Sequence, residues 1–328
     1  MKRRNLLIAL GAGLATPLVA LAQQPPKIRR IGALAFRSRS TPSNPEVFYD
    51  SFTRGMRDLG YVEGKNLAIE WRFADGQFDR VPGLAAELVK MNVEVVATHS
   101  TPVTKILQQA TRSIPIVTGV IDPVGDGFAA SLARPGGNIT GVSIIAIDVS
   151  PKQIEFLKAL VPGNSRIAFL KNPDNPAMAG ILNNIQGIAR NAGVSIVPID
   201  ARTPEEIERG FATMTRERAA SVIVAADAFF MARRQQIAAL ASKSRIASMF
   251  AFREQVMSGG LVSYGQDLSY SLHLLATYVD KILKGAKPAD LPFEQPTKIH
   301  LAINRRTAKA LGLVIPQELL LRVDEVIE

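Results

Sequence analysis

The stretch "VEVVATHSTPVTKILQQATRSIPIVTGV", residues 93–120, contains two apolar, β-branched runs separated by an amphipathic one. The outer runs, 93–99 and 114–120, have the length and composition of buried strands. The segment between them begins with hydroxyl residues and continues as "ILQQATR", which has a helical pattern. This stretch predicts a strand, a helix and a second strand, the unit from which parallel sheets are built.

The same alternation of strand-like and helical patterns recurs along most of the chain. The strand candidates are 28–36, 66–74, 93–99, 114–120, 165–171, 194–200, 220–226, 246–252 and 261–265. The helical patterns include 48–60, 81–91, 152–161, 205–215 and a late apolar repeat between Leu272 and Leu283. "ARPGGNITGVS" (133–143) interrupts the series. The pattern predicts an α/β protein with parallel sheets in two lobes, between which the chain crosses more than once.

The beginning of the chain has the three parts of a secretory signal peptide. Lys2, Arg3 and Arg4 are followed by an uncharged apolar run from Leu6 to Leu21 and by small residues. We expect cleavage after Ala22 and a periplasmic mature protein, exported by general secretion or by a twin-arginine route.

The composition excludes several classes of function. The 328 residues include no cysteine, which excludes disulfides, thiolate nucleophiles and cysteine-ligated metals. The formal charge of +10 falls to +7 once the three basic residues of the leader are removed. Because the remaining Lys and Arg are scattered and only five Tyr and one Trp are present, a solvated basic surface is favoured over nucleic-acid binding.

Three hydroxyl residues follow the strand predicted at 93–99, namely Ser100, Thr101 and Thr104. Ligands of parallel sheets bind at the carboxyl ends of the strands, where helix amides point at the ligand. The hydroxyls therefore predict a carboxylate-binding site. The alternative is one helix cap and two solvated hydroxyls.

Polar or aromatic side chains also follow other predicted strands and are further candidates for ligand binding. They are Phe36, Asp122, Asn172, Asp174, Asp227 and Tyr264. Phe36 could equally be a core residue, and Asp122 could be a helix cap. Asn172 and Asp174 lie in "NPDNP", which can also simply form a turn.

Asp227 ends a fully apolar strand, where its carboxylate could accept an ammonium group, although it could also cap the next helix. Tyr264 lies where the chain is predicted to cross between lobes and could contact the ligand from that side. Neither a metal site nor a cofactor is predicted.

No catalytic residue is predicted. His99, His273 and His300 are far apart in sequence and are interpreted as structural. Pairing of His99 with Ser100 is disfavoured because adjacent residues at a strand end usually point to opposite sides. Neither a G-x-S-x-G nor an HExxH motif is present.

Four stretches carry a resemblance to a known family. They are "ATHSTPVT", "VIDPVGDGFAASLARPGGNITGVS", "GGLVSYGQDL" and "YVDKILKGAKPADLPFEQPTKIHLAINRRTAKALGL". They resemble substrate-binding proteins of ABC transporters, in the tryptophan-binding-protein-like (ABC-sub-bind) family. The resemblance implies a type I periplasmic binding protein with two Rossmann-like lobes joined by three crossovers. It also implies delivery of a small solute, such as an aromatic or branched amino acid or a related carboxylate, to a membrane permease with its ATPase.

Mapped onto this chain, the resemblance implies lobe one at 28–143 plus 265–288 and lobe two at 144–264 plus 289–328. The crossovers are expected near 141–143, 264–266 and 287–292. We expect a monomer that binds a small molecule and no nucleic acid. A ligand-sensing partner of a membrane receptor and an exported enzyme are the alternative functions.

Overall fold

The computed structural model describes residues 28–41 and 46–328. The predicted signal peptide, with its cleavage point after Ala22, lies outside these residues. Within them, no helix combines the length and the apolar character needed to cross a membrane.

The first lobe is built on a five-stranded parallel sheet. Its strands are β1 (Arg29–Ala35), β2 (Leu67–Phe73), β3 (Val96–Thr98), β4 (Ile116–Val120) and β5 (Ile139–Ser143), in the spatial order β2-β1-β3-β4-β5. The unit predicted at 93–120 is confirmed, since β3 and β4 are parallel neighbours with Val96 opposite Ile116. All residues of β4 are buried, as expected for the centre of a sheet covered on both faces.

The second lobe is built on a seven-stranded sheet. Its strands are β6 (Arg166–Lys171), β7 (Ser195–Asp200), β8 (Ser221–Val224), β9 (Ala247–Phe250), β10 (Val262–Gln266), β11 (Ile299–Asn304) and β12 (Glu325–Ile327). The spatial order is β12-β11-β10-β9-β8-β6-β7. The prediction of an α/β fold with two lobes and parallel sheets is confirmed.

The helices surround these two sheets. They are α1 (Val47–Asp58), α2 (Val81–Lys90), α3 (Thr101–Ala110), α4 (Ser150–Leu160), α5 (Met178–Asn191), α6 (Pro204–Arg216), α7 (Ala228–Ala232), α8 (Arg234–Lys243), α9 (Arg253–Met257), α10 (Leu268–Leu283), α11 (Arg305–Leu311) and α12 (Gln317–Leu320). Although α10 follows β10 of the second sheet, it packs on α1, β4 and β5 of the first lobe. The chain therefore returns to the first lobe after β10.

One pair of strands is antiparallel, which the sequence did not predict. β10 and β11 run in opposite directions, with Gln266 opposite Ile299. The chain comes back from the first lobe at the carboxyl end of β10. β11 therefore starts at that end and has to run away from it.

β5 was missed because the Pro-Gly-Gly sequence of "ARPGGNITGVS" was interpreted as an interruption. Ile139–Ser143 instead forms the edge strand of the first sheet, next to β4. Gly141 allows this pairing because its φ is 145° and a Cβ there would lie 2.0 Å from the carbonyl oxygen of Thr118.

The third crossing lies later in the structure than the expected 287–292. The amide of Phe293 donates to the carbonyl of Leu132, and Glu294 forms a bridge with Val142. Residues up to Glu294 therefore still contact the first lobe, and the crossing lies between Glu294 and Ile299. The division of the chain into two moving bodies stays a prediction.

Candidate functional site

The carboxyl ends of the two sheets face one another across a cavity between the lobes. Most of the residues that line it follow β1, β3 and β4 in the first lobe, and β6, β8 and β9 in the second. From the first lobe they include Arg37, His99, Ser100, Thr101 and Ile121, and from the second Asn175, Asp227, Met231 and Phe252. The space between these residues, counted together with its opening to solvent, is about 430 Å³.

Ser100 occupies the N-cap position of α3 but does not cap it. Its side chain makes no capping hydrogen bond. Among the described residues no group pairs with its buried Oγ, although only 6% of the residue is exposed. Since a buried hydroxyl without a partner is rare and costs free energy, this oxygen is available to a ligand.

The other two hydroxyls of this stretch have different positions. Thr101 lines the cavity, and its Oγ1 accepts a long hydrogen bond of 3.4 Å from the amide of Ile121. Thr104 lies beneath the cavity, where its Oγ1 donates to the carbonyl of Ser100 at 2.8 Å and lies 2.6 Å from Oγ1 of Thr118. Thr104 therefore fixes the position of the loop, whereas Ser100 and Thr101 face the space between the lobes.

On the opposite side, Asp227 both caps α7 and lines the cavity. Its Oδ1 accepts a hydrogen bond of 2.8 Å from the amide of Phe229, and its Oδ2 accepts one of 2.8 Å from Nδ2 of Asn175. Burial raises the pKa of Asp227, while hydrogen bonds from Asn175, Phe229 and Asn172 favour the charged form. The two interpretations of Asp227, cap and cleft residue, therefore hold together.

Arg37 brings a positive charge into the cavity from the end of β1. Its guanidinium pairs with Glu46 at 2.5 Å, and the two side chains are only 12% and 6% exposed. Among the described residues that line the cavity, Arg37 is the one lysine or arginine and Asp227 the one carboxylate. The cavity thus has a positive side in the first lobe and a negative side in the second.

A sequence model of a family described as "ABC transporter substrate binding protein" matches residues 41–327. This chain belongs to that family. The match spans both lobes and includes the segment through which the chain returns to the second sheet.

Individual relatives agree with this assignment. A tyrosine-binding protein of Clostridioides difficile (strain R20291) is 25% identical over 264 residues, which cover 80% of this chain and 75% of the relative. The crystal structure of an "ABC domain" of Streptococcus pneumoniae in complex with L-Trp is 26% identical, with a TM-score of 0.84 over 92% of this chain and 100% of the other. A conserved domain protein of Vibrio cholerae, 24% identical, has the same fold with a TM-score of 0.85 over 92% of this chain and 100% of its own.

Charged side chains of the two lobes approach one another beside this binding protein's cleft, where Arg37 and Glu46 line the same small cavity as Arg233 and Arg234. Burial and the charge of Arg37 lower the pKa of Arg234, and the carboxylates of Glu46 and Glu254 oppose this shift. Arg37 and Glu46 belong to the first lobe, whereas Arg234 and Glu254 belong to α8 and α9 of the second. The lobes are therefore close together around the cavity.

His99 also lines the cavity of this substrate-binding protein, although sequence reasoning set it aside. Burial, and then the charge of Arg37, lower its pKa to about 3. β3 ends at Thr98, one residue before His99, so the alternation of side chains along a strand does not apply to His99 and Ser100.

Of the eight predicted site residues, Ser100, Thr101 and Asp227 line the cavity. Asn172 lies behind Asp227; it is buried, and its Oδ1 accepts from the amide of Asp174 at 3.1 Å. The structure thus brings Asn172 next to the cleft without placing it on the cavity surface.

The other four predicted residues lie elsewhere. Phe36 is buried against Phe78, with ring centroids 4.3 Å apart. Asp122 accepts a hydrogen bond of 2.8 Å from the amide of Gly125 in a turn. Exposed Asp174 pairs with Arg202 at 3.3 Å, and the ring of Tyr264 packs edge-on against Phe156.

Sequence reasoning missed Arg37, His99, Asn175 and Phe252. Each of them follows a buried strand by one to four residues, which is the one signal that could have identified them. No group of three or more His, Cys, Asp or Glu that could hold a metal ion occurs in the part of the chain that the structure describes. The arrangement suits a ligand with a negative group, a positive group and an apolar part.

Proposed function

We propose that this substrate-binding protein captures an amino acid or a related small carboxylate between its lobes and delivers it to an ABC permease and its ATPase. The observation that carries the proposal is the position of Arg37 and of the Ser100 hydroxyl, which has no partner among the described residues, on one side of the cavity, opposite Asp227 on the other. A zwitterion is complementary to this arrangement of charges.

The ligand carboxylate is assigned to the first lobe. Ser100 Oγ can donate a hydrogen bond to it, and α3 begins at the next residue, with the amides of a helix N-terminus favouring an anion. Arg37, held by its ion pair with Glu46, adds guanidinium donors in a poorly hydrated setting, where charge-assisted hydrogen bonds are strong. Three kinds of donor therefore converge on an anion.

The ligand ammonium is assigned to Asp227. Asn175 and the amide of Phe229 each donate to one of its oxygens, and Asn172 and the amide of Phe230 also favour its charged form. Because burial disfavours its charge, an ammonium group nearby would lower the free energy of the ionised form.

The apolar part of the ligand is assigned to the aliphatic and aromatic wall. The wall contains Ile121, Ile144, Met231, Phe252 and Leu268. An aromatic amino acid would bury its ring here. The relatives named for binding tyrosine and crystallised with L-Trp support this ligand class.

Binding and release are assigned to hinge movement of the lobes. The segments near 144–149, Asp267 and 295–298 connect the two sheets and would absorb the change in backbone angles. We place the mature protein, as a monomer beginning at Gln23, in the periplasm.

Isothermal titration calorimetry on the chain without residues 1–22 tests the proposal. L-Trp, L-Tyr, L-Phe and L-Leu are compared with indole-3-propionate, which lacks the ammonium group, and tryptamine, which lacks the carboxylate. We expect the intact amino acids to bind best. Loss of either group should weaken binding by about 10- to 100-fold, as for a charge-assisted hydrogen bond of about 1.5–3 kcal/mol. Equal binding of the three indole compounds would contradict the proposal.

Two further measurements test the hinge movement and the release of an unchanged ligand. Small-angle scattering should give a smaller radius of gyration with saturating ligand than without, and an unchanged radius would contradict hinge closure. Chromatography of the released ligand should return it unchanged. A converted product would instead indicate an enzyme.

A further inference from the structure

Two buried polar atoms of the cavity have no hydrogen-bond partner among the described residues. They are Oγ of Ser100 and Nε2 of His99. The proposed carboxylate position accounts for Ser100, but it leaves Nε2 of His99 unexplained. An unpaired ring nitrogen at the surface of a binding cavity calls for a ligand group of its own.

The surroundings of His99 hold its ring at this position. The imidazole lies over Gly119 of β4, which also lines the cavity. A Cβ on residue 119 would lie 2.2 Å from Cδ2 and 2.5 Å from Nε2 of His99. The glycine therefore provides the space that the ring occupies.

Nε2 presents a lone pair to the cavity. Burial and the charge of Arg37 keep the ring neutral, and the backbone carbonyl of His99 is the one group that favours a proton on it. Because Nε2 has no partner among the described residues, we assign this carbonyl to Nδ1, and with it the single proton of the neutral ring. Nε2 is then an acceptor, and its partner has to be a donor.

The charges around His99 decide which donor fits. A carboxylate has no proton to donate at neutral pH. An ammonium group beside His99 would be repelled by Arg37, which is near enough to lower the pKa of the ring, and it has a better partner in Asp227. The donor that fits Nε2 of His99 is therefore a neutral N–H or O–H group of the ligand.

We propose that His99 is a specificity-determining residue whose Nε2 accepts a hydrogen bond from an N–H or O–H on the aromatic ring of the ligand. This inference rests on the proposed amino-acid site and goes further, since the protein then selects L-Tyr or L-Trp over L-Phe. Without a ring donor, Nε2 stays buried and unpaired, and such sites discriminate strongly against ligands that lack the group.

Calorimetry with L-Tyr, L-Trp and L-Phe on the wild type and on His99→Leu tests the inference. We expect at least one of L-Tyr and L-Trp to bind the wild type about tenfold or more tightly than L-Phe. In His99→Leu this preference should fall to about twofold or less, while the affinity for L-Phe changes little. An equal loss of affinity for all three ligands would overturn the inference, because His99 would then contact a group that they share.

Two variants protect the test against misfolding. His99→Gln keeps an acceptor oxygen and should retain part of the preference. Gly119→Ala should displace the ring without removing it and should lose the preference. A wild type that binds all three with the same affinity overturns the assignment of His99 alone, whereas a wild type that binds no amino acid overturns the proposed function and this inference with it.

Discussion

Nδ2 of Asn175 donates a hydrogen bond of 2.8 Å to Oδ2 of Asp227, and both residues are almost completely buried. Asn175 follows β6 and Asp227 follows β8, so the bond joins two neighbouring strand ends of the second sheet. The bond and the amide of Phe229 fix both oxygens of the carboxylate at the surface of the cleft. The orientation of the negative side of the cavity is therefore set before any ligand arrives.

Asp227→Asn should weaken ligands with an ammonium group by about 10- to 100-fold, the effect of losing one hydrogen bond to a charged group. The protein should stay folded because asparagine is as good an N-cap as aspartate. Calorimetry with L-Trp and indole-3-propionate measures the effect, and only L-Trp should lose affinity. The matched control is Asp174→Asn, which makes the same change at an exposed ion pair. Equal losses for both ligands would contradict the assignment of the ammonium group.

Ser100→Ala should weaken carboxylate ligands by about tenfold or more and should not lower the melting temperature of the free protein. The reason is that Oγ of Ser100 is buried without a partner among the described residues, so its removal costs the free protein no hydrogen bond. Thr101→Val in addition should increase the loss slightly, since the bond of Thr101 to the amide of Ile121 is long.

Thr104→Val is the control for Ser100→Ala. It removes bonds to the carbonyl of Ser100 and to Thr118 and should reduce the free energy of unfolding by about 1–2 kcal/mol. Calorimetry and thermal melts on each variant separate affinity from stability. A Ser100→Ala variant with unchanged affinity and a lower melting temperature would show that the hydroxyl has a structural role instead.

Arg37→Gln should reduce both stability and affinity, because it removes the positive side of the cavity and takes from the buried carboxylate of Glu46 the ion pair with Arg37. Breaking a buried ion pair in this way costs about 3–5 kcal/mol. Arg37→Gln combined with Glu46→Gln should recover much of the stability without recovering affinity. Urea unfolding and calorimetry measure the two effects. Restored affinity in the double variant would show that Arg37 acts only through Glu46.

Local patterns predicted most of the fold because buried parallel strands and amphipathic helices each depend on neighbouring residues. The prediction of strands failed where the existence or the direction of a strand depends on distant parts of the chain. The direction of β11 depends on where the chain returns from the first lobe, and β5 depends on the close approach of Gly141 to Thr118. Neither relationship is visible in a short window of sequence.

The cavity was predicted only in part for a similar reason. Ser100, Thr101 and Asp227 stand directly after apolar runs and were identified by their position. Arg37 lies in "FRSRS" and Asn175 in "NPDNP", two polar runs in which sequence cannot tell which side chain turns inward. The tertiary structure decides this, since it places Glu46, at the beginning of α1, next to Arg37.

The stability of the wild type should depend on pH more steeply than that of His99→Gln. His99 has a folded pKa of about 3, below the ordinary value of 6.5, because burial and Arg37 disfavour its charged form. Below pH 6.5 the unfolded chain therefore takes up a proton at His99 that the folded chain does not. This contribution is fully present above pH 6.5 and is lost as the pH falls toward 3, by up to about 1.4 kcal/mol per pH unit.

Urea unfolding of both proteins at pH 7.0, 5.5 and 4.5 measures this difference. Asp126 acts in the opposite direction, since burial and Asp122 raise its pKa to about 6 and the folded chain protonates first. It is present in both proteins, as are all other carboxylates, so the comparison of wild type with His99→Gln isolates His99. The free energy of unfolding of the wild type should fall by about 1–3 kcal/mol more than that of the variant between pH 7.0 and 4.5. Parallel pH profiles would mean that the imidazole titrates with its ordinary pKa and would contradict the effect of burial and Arg37 on His99.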